Sequence, residues 1–296
     1  MPFIYKLYEI VLELPFPCRL LPLAPTGSAP DVIMSEGPVP RCLPDATAEG
    51  VGWQATAGRF LFQGTHQAGI FLIEGGEKIT LQRNPAAVDD VLCSHLLASV
   101  IVTLLRQRGN QVLHANVIET PRGALAISGA CGAGKSTTQA ALLARGCRMV
   151  ADDVAVLRLN EDSQVVALPG IPKMNLCDDT ALTFGHDISR LQRNPLRSGK
   201  VLVQVDHGDM VTEPVVLDAI YLLSCHSGKE LIVNPLIGAE KFMSLQDCIY
   251  GPQLPEEHPG MFPLVSTLAE QAKMFRIERP SGSDSVNNIV DAILYG

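Results

Sequence analysis

Residues 129–137 read GACGAGKST and fit G-x-x-x-x-G-K-[ST] without a gap. Residue types in that pattern handle a polyphosphate. Successive backbone N–H groups curl around the anion, and the helix that follows points its positive end at it. Gly129, Gly132 and Gly134 keep side chains out of the way of that approach. Lys135 can reach the outer phosphates, and the Ser136 hydroxyl can ligate Mg²⁺, with Thr137 beside it in the first helical turn.

The second group is the pair Asp152–Asp153, seventeen positions after Lys135. One carboxylate can hold the metal, while the other takes a proton from an incoming hydroxyl. Left to itself, such a pair also reads as a solvated acidic turn or a helix cap. The third is His114, fifteen residues before Gly129. A lone histidine beside an apolar run is more often a satisfied core residue than a reacting one.

The elements that must position these groups are legible around them. The apolar run 124–128 reads as a buried strand into the loop. The Ala/Leu-rich stretch 136–145 reads as a helix stopped by Gly146. Residues 147–151 read as the next strand of a βαβ unit, returning parallel beside the first. The aspartates then fall at the carboxyl edge of the sheet, on the loop side. Residues 112–118 and 124–128 read as a hairpin around 119–123.

Together, His114, the loop from Gly129 to Ser136, Arg145–Gly146 and Ala151–Asp152–Asp153 form a recognisable series. The stretch LHANVIETPRGALAISGACGAGKSTTQAALLARGCRMVADDVAVLRL resembles the catalytic core of the HPr kinase/phosphorylase family. The short gap from loop to aspartates is shared with phosphoenolpyruvate carboxykinase. A weaker likeness continues through LPGIPKMNLCDD, which is similar to a segment of stand-alone HPr-kinase-like proteins. Some of those phosphorylate a precursor peptide, as the lasso-peptide kinases do. No E-I-R-G-x-G-type segment follows the aspartates, so the resemblance does not carry over phosphorylase activity or HPr as acceptor.

The resemblance implies an α/β fold with a phosphate-loop kinase core of the HPr kinase/phosphoenolpyruvate carboxykinase type, here with a β-rich amino-terminal subdomain. It implies ATP and Mg²⁺ as cofactors and a serine hydroxyl of a peptide or small protein as acceptor. Asp152, Lys135 and His114 are then the catalytic residues. Gly129, Gly132, Gly134, Lys135, Ser136 and Thr137 bind the nucleotide, and Ser136 and Asp153 hold the metal. Two other readings stay open: a small-molecule or carboxykinase-like phosphotransferase, and a nucleotide-binding regulator without transfer activity. No N-K-x-D or D-x-x-G follows the loop, which argues against a GTPase.

Composition bounds the remainder. The chain has 296 residues, 47% hydrophobic and 18% charged, as an ordered globular protein does. Net charge is −8, and no basic run exceeds two residues, which argues against nucleic acid as a partner. Eight scattered cysteines without a C-x-x-C pair read as reduced core thiols of a cytoplasmic protein. Cys131, inside the loop, is open to alkylation. The amino terminus MPFIYKLYEIVLELPFP is broken by Lys6, Glu9 and Glu13 and reads as an alternating strand rather than an export signal or membrane span.

Residues 1–88 read as a β-rich part with strands at RFLFQG, GIFLIEGG and EKITLQ. They carry no chemical motif and are expected to recognise the acceptor, form a subunit interface in a homo-oligomer, or merely cover one face of the core sheet. An amphipathic helix over 89–107 joins them to a catalytic domain over 89–296. Strands are expected at 154–159, 164–168, 201–204 and 219–224, and helices at 181–193, 260–272 and 285–294. The Pro-rich stretch 251–260 reads as a mobile loop. Lys173 and Lys200 stand out among the later cations as groups able to reach the transferred phosphoryl or the acceptor.

Overall fold

The computed structural model describes residues 2–255, 258–281 and 285–296. It is mixed α/β with three sheets and divides into two compact units.

The first unit holds residues 1–110 with the short segments 195–198 and 251–261. Its eight-stranded sheet runs Phe3–Leu7, Ile10–Leu14, Val32–Glu36, Lys78–Arg83, Gly69–Glu74, Arg59–Gly64, Trp53–Thr56, Ala48–Gly50 in spatial order. The amino terminus is therefore a hairpin and not one strand. Tyr8 and Glu9 make its two-residue turn, both at positive φ (49° and 65°), the hand that matches the twist of the flanking strands. Residues 89–107 are helical throughout, with a π turn at Leu96–Val100. His95 enters that turn fully buried against the rings of Phe62 and Phe71. Desolvation lowers its pKa. Residues 251–255 and 258–260 contain no helix or strand. Residues 256–257 of the same Pro-rich stretch lie outside the described residues.

The second unit carries the glycine-rich loop. Its main sheet has the order Arg148–Ala151, Ala115–Thr120, Gly123–Gly129, Val215–His226, and then along the first half of that long strand Val165–Ala167, Ala155–Leu159 and Gln111–Leu113. Lys273–Pro280 pairs parallel with Val215–His226 from Ala219 onward, and Ile232–Pro235 closes that side. Side chains alternate across the central strand. Leu125 and Ile127 pack with Leu142, Ile289, Val290 and Ile293 of two helices on one face. Ala126 on the other face packs with Leu264, Val265 and Leu268 of helix Met261–Gln271. Two buried faces explain why 124–128 is apolar without a break.

Three expectations about the second unit need correction. The strand ending at Ala151 runs parallel to Gly123–Gly129 but not beside it. Ala115–Thr120 lies between them and is antiparallel to both. The aspartates still fall on the loop edge, because two antiparallel steps restore the direction. Residues 112–118 are not one strand. They break at His114, with Gln111–Leu113 pairing Ala155–Leu159 and Ala115–Thr120 forming the hairpin. The helix expected over 181–193 is absent. A short helix Asp178–Thr183, a 3-10 turn and the strand Gln192–Arg193 fill that stretch. Gly185, at φ +81°, ends the helix early. Lys173–Cys177, Lys200–Gln204 and Gln192–Arg193 form the small third sheet.

None of the eight cysteines forms a disulfide among the described residues. Cys18, Cys93, Cys147 and Cys248 are buried, whereas Cys42, Cys131, Cys177 and Cys225 are exposed and so are not core thiols. Among the described residues no helix is long and apolar enough to cross a membrane.

Candidate active site

Four parallel strands end on one edge of the sheet at Ala151, Gly129, His226 and Pro280. Ligands of α/β sheets gather outside such carboxyl ends. The glycine-rich loop leaves the central strand there. Gly129 lies at φ +141°, and a Cβ on it would stand 2.3 Å from the carbonyl oxygen of Leu223, so only glycine fits. Gly134, at φ +108°, is the cap of helix Lys135–Ala144. Lys135 is 7% exposed, and its Nζ donates to the carbonyls of Gly129 (2.7 Å) and Ala130 (3.3 Å). The amine is thus held over the loop. Ser136 and Thr137 are half-buried in the first turn, and Thr137 Oγ1 lies 3.1 Å from Thr180 Oγ1.

A buried amide pair links this helix to the aspartates. Asn116 and Gln139 are both fully buried. Asn116 Nδ2 donates to Gln139 Oε1 (2.6 Å), and Gln139 Nε2 donates to the carbonyl of Ala151 (3.0 Å). Asp153 N–H in turn donates to Asn116 Oδ1 (3.1 Å). Every amide end has a partner, as burial demands. Because both side chains are rigidly placed, the distance from the loop helix to the aspartate turn is fixed. Val154 N–H closes back on the Asp152 carbonyl (2.7 Å) around Asp153, which lies at φ +64°. This is the rarer hand of a three-residue turn, strained for a residue with a side chain.

Asp152 shows the clearest chemistry. Its Oδ2 accepts from the backbone N–H of Asn175 (2.8 Å) and from Asn175 Nδ2 (3.3 Å). Its Oδ1 is buried with no partner among the described residues. Burial first, and then the charge of Asp153, push its pKa up to about 7; the Asn175 hydrogen bonds and the Lys200 charge oppose that rise. Asn194 Nδ2 donates to Asn175 Oδ1 (2.7 Å) and sets which way that amide faces. Lys200 Nζ lies 3.5 Å from the carbonyl of Asn175.

His114, at the break between its two strands, places Nδ1 3.3 Å from the carbonyl oxygen of Asp153. Its ring centre is 5.1 Å from that of Tyr250. A hydrogen bond there requires the Nδ1–H tautomer, and a neutral ring then presents Nε2 as an acceptor. The structure therefore sets His114 against the main chain of the aspartate turn.

Of the other cations singled out in sequence, Lys200 faces Asp152. Lys173 starts the neighbouring strand, opposite Gln204. Arg193 Nη1 donates to both carboxylate oxygens of Asp178 and Arg190 pairs with Asp187, so both face other acids. Among the described residues no group of three or more His, Cys, Asp or Glu forms a metal cage. A cation at Ser136 and Asp153 would take oxygens of a bound phosphate as further ligands, the usual habit of Mg²⁺.

No family model and no curated protein matches the chain. Among solved structures it is similar to the HPr(Ser) kinase/phosphatase from Coxiella burnetii, at 15% identity and a TM-score of 0.32. The match covers 62% of this chain and 91% of that one. Superposition at that level decides no chemistry, so the residues themselves must.

Four residues of this edge escape a reading of motifs: Asn116, Gln139, Asn175 and Arg279. Arg279, in strand Lys273–Pro280, donates from Nε to the carbonyl of Ala133 (3.0 Å) and from Nη2 to that of Gly132 (3.3 Å). A guanidinium so held lies on the glycine-rich loop, 150 positions from Gly129 in sequence. Only its place near the end of a β-rich run, before a Gly/Ser stretch, hinted at a strand terminus.

Proposed function

We propose that this chain is an ATP-dependent kinase transferring a phosphoryl group to a serine hydroxyl of a peptide or small protein. The observation that carries this reading is Asp152. One of its oxygens is saturated by Asn175, the other is buried and unpartnered, and its pKa lies near neutrality, on the sheet edge that bears the glycine-rich loop. A carboxylate in that condition is poised to accept the proton of a hydroxyl.

In this reading the loop amides hold the triphosphate, and Lys135 turns from the Gly129 carbonyl to the transferred group. Ser136 and Asp153 would hold Mg²⁺, which offsets charge on the phosphates. Asp152 Oδ1 takes the acceptor proton as the hydroxyl oxygen attacks the γ-phosphorus and the bond to the β-phosphate oxygen breaks. His114 and Asn116 hold the aspartate turn from its two sides. The β-rich residues 1–88 recognise the acceptor or form a subunit interface. The test is transfer of label from γ-labelled ATP to a panel of serine peptides. Phosphoserine is the expected product. Label on small carboxylic acids alone, or ATP binding without any transfer, would refute the serine kinase.

Two further outcomes are expected. Asn175→Ala removes the Nδ2 donor that steers Oδ2. A hydrogen bond to a charged group is worth roughly 1.5–3 kcal/mol. Turnover should fall about ten- to a hundredfold with nucleotide affinity unchanged, and Asn194→Ala should move the same way by less. Steady-state kinetics with a parallel ATP titration checks this. Separately, iodoacetamide should block ATP binding through the exposed Cys131, and ATP should protect. Cys131→Ser should bind ATP and resist the reagent, although Cys42, Cys177 and Cys225 remain exposed.

A further inference from the structure

Beside the glycine-rich loop is a cavity of about 190 Å³, lined by Gly134, Thr137, Thr138, Arg279, Ser285, Val286 and Ile289. Pockets that take a whole ligand are usually ~300–1,000 Å³, so this one suits a part of a ligand. Its walls are of two kinds. Val286 and Ile289, from helix Val286–Tyr295, are apolar. Arg279, Thr137 and Ser285 are polar, and Arg279 is already tethered to the carbonyls of Gly132 and Ala133.

Ser285 is out of the ordinary. It stands at the cap of helix Val286–Tyr295, yet its side chain makes no capping hydrogen bond. The residue is 6% exposed, and its Oγ has no partner among the described residues. A buried hydroxyl left unpaired costs free energy that a ligand hydroxyl or ring nitrogen would recover.

The order of strands says which part of a ligand belongs here. The loop leaves strand Gly123–Gly129. Asp152 follows strand Arg148–Ala151, two positions away on one side. Arg279 lies in strand Lys273–Pro280, two positions away on the other. At ~4.8 Å per strand the two flanks are roughly 19 Å apart, comparable with an extended nucleoside triphosphate. With the reacting phosphate on the Asp152 flank, the far end of the molecule reaches the Arg279 flank.

We propose that this cavity is the nucleoside subsite, taking the base and part of the ribose of a nucleoside triphosphate whose phosphates lie in the loop. The inference rests on the phosphate-binding reading of that loop. The apolar side chains of Val286 and Ile289 cover a face of the base. The Arg279 guanidinium, planar and fixed on the loop, covers base or ribose from the loop side. Ser285 Oγ meets a polar atom of the nucleoside.

The test compares ATP with inorganic tripolyphosphate, which has the phosphates and lacks the nucleoside. Both are titrated with Mg²⁺ by calorimetry into the full chain. Wild type should bind ATP the more tightly. Val286→Phe, which fills the cavity, should weaken ATP by about tenfold or more, toward the tripolyphosphate value, and leave tripolyphosphate unchanged. Ser285→Ala should weaken ATP about threefold, again without effect on tripolyphosphate, and it decides the matter if the Phe variant does not melt as a folded protein. Equal affinities in wild type, an unchanged ratio in the variants, or equal weakening of both ligands would overturn the subsite while leaving the loop reading intact. Failure of wild type to bind either ligand would remove the loop reading and the subsite with it.

Discussion

Lys135→Ala is expected to abolish phosphoryl transfer in a chain that still melts normally. At the loop, Lys135 Nζ donates to the main-chain carbonyls of Gly129 and Ala130. Gly129 is half-buried and Ala130 exposed, so water can replace the amine at the loop. Helix Lys135–Ala144 is held to the sheet by Leu142, Ala141 and the Gln139 amide, none of which the substitution touches. Loss of a preorganised cation facing the developing charge costs about 3–4 kcal/mol, two to three orders of magnitude in rate. Label transfer and thermal melting measured on the same preparation check this. Retained turnover with an unchanged melt removes the phosphate-loop assignment.

Asp152→Asn and Asp153→Asn part company. Asp152→Asn keeps the Asn175 contacts geometrically open but cannot accept a proton. Turnover should fall by about 10²–10⁴-fold, with Mg·ATP binding retained. In wild type, kcat/KM should rise with pH through about 7 and level off above, since the base must be ionised and its pKa lies there. That step should vanish in Asp152→Asn. The stability sign runs the other way. The folded pKa, about 7, is above the unfolded value near 3.9, so the folded state holds the proton more tightly. The contribution of this group is complete below pH ~4 and is lost as pH rises through ~7. Asp152→Asn should therefore melt higher than wild type at pH 8, and the two should converge near pH 4. Asp153→Asn should instead raise the Mg²⁺ concentration needed for half-maximal turnover by about tenfold. Its main-chain turn is held by Asn116 and His114 through backbone atoms, which the substitution preserves. Calorimetric titration of Mg²⁺ and ATP separates the two variants. Identical behaviour would show that the roles are not divided in this way.

Much of this chain was legible because its decisive information is local. The glycine-rich loop, with its lysine and serine within nine positions, lies between an apolar strand and an Ala/Leu helix, and all of that is contiguous at 123–144. The helix over 89–107, the strand pair Ala155–Leu159 with Val165–Ala167, and both carboxyl-terminal helices follow from periodicity and stop signals in the same way. What tertiary structure alone decided is non-local. The hairpin strand Ala115–Thr120 inserts between two parallel strands because its Val117 and Ile118 have a buried face on each side, and pattern alone does not rank neighbours. His114 becomes a pivot because adjacent residues join different strand pairs. The partners of Asp152 and of the loop come from 23 and about 150 positions away, in Asn175 and Arg279. A carboxylate's two oxygens are equivalent in sequence. Only the packing of strand Lys173–Cys177 against the aspartate turn gives one oxygen two donors and buries the other without any. Desolvation depends on which surfaces meet, and with the charge of Asp153 it raised Asp152 toward neutrality against the pull of the Asn175 hydrogen bonds.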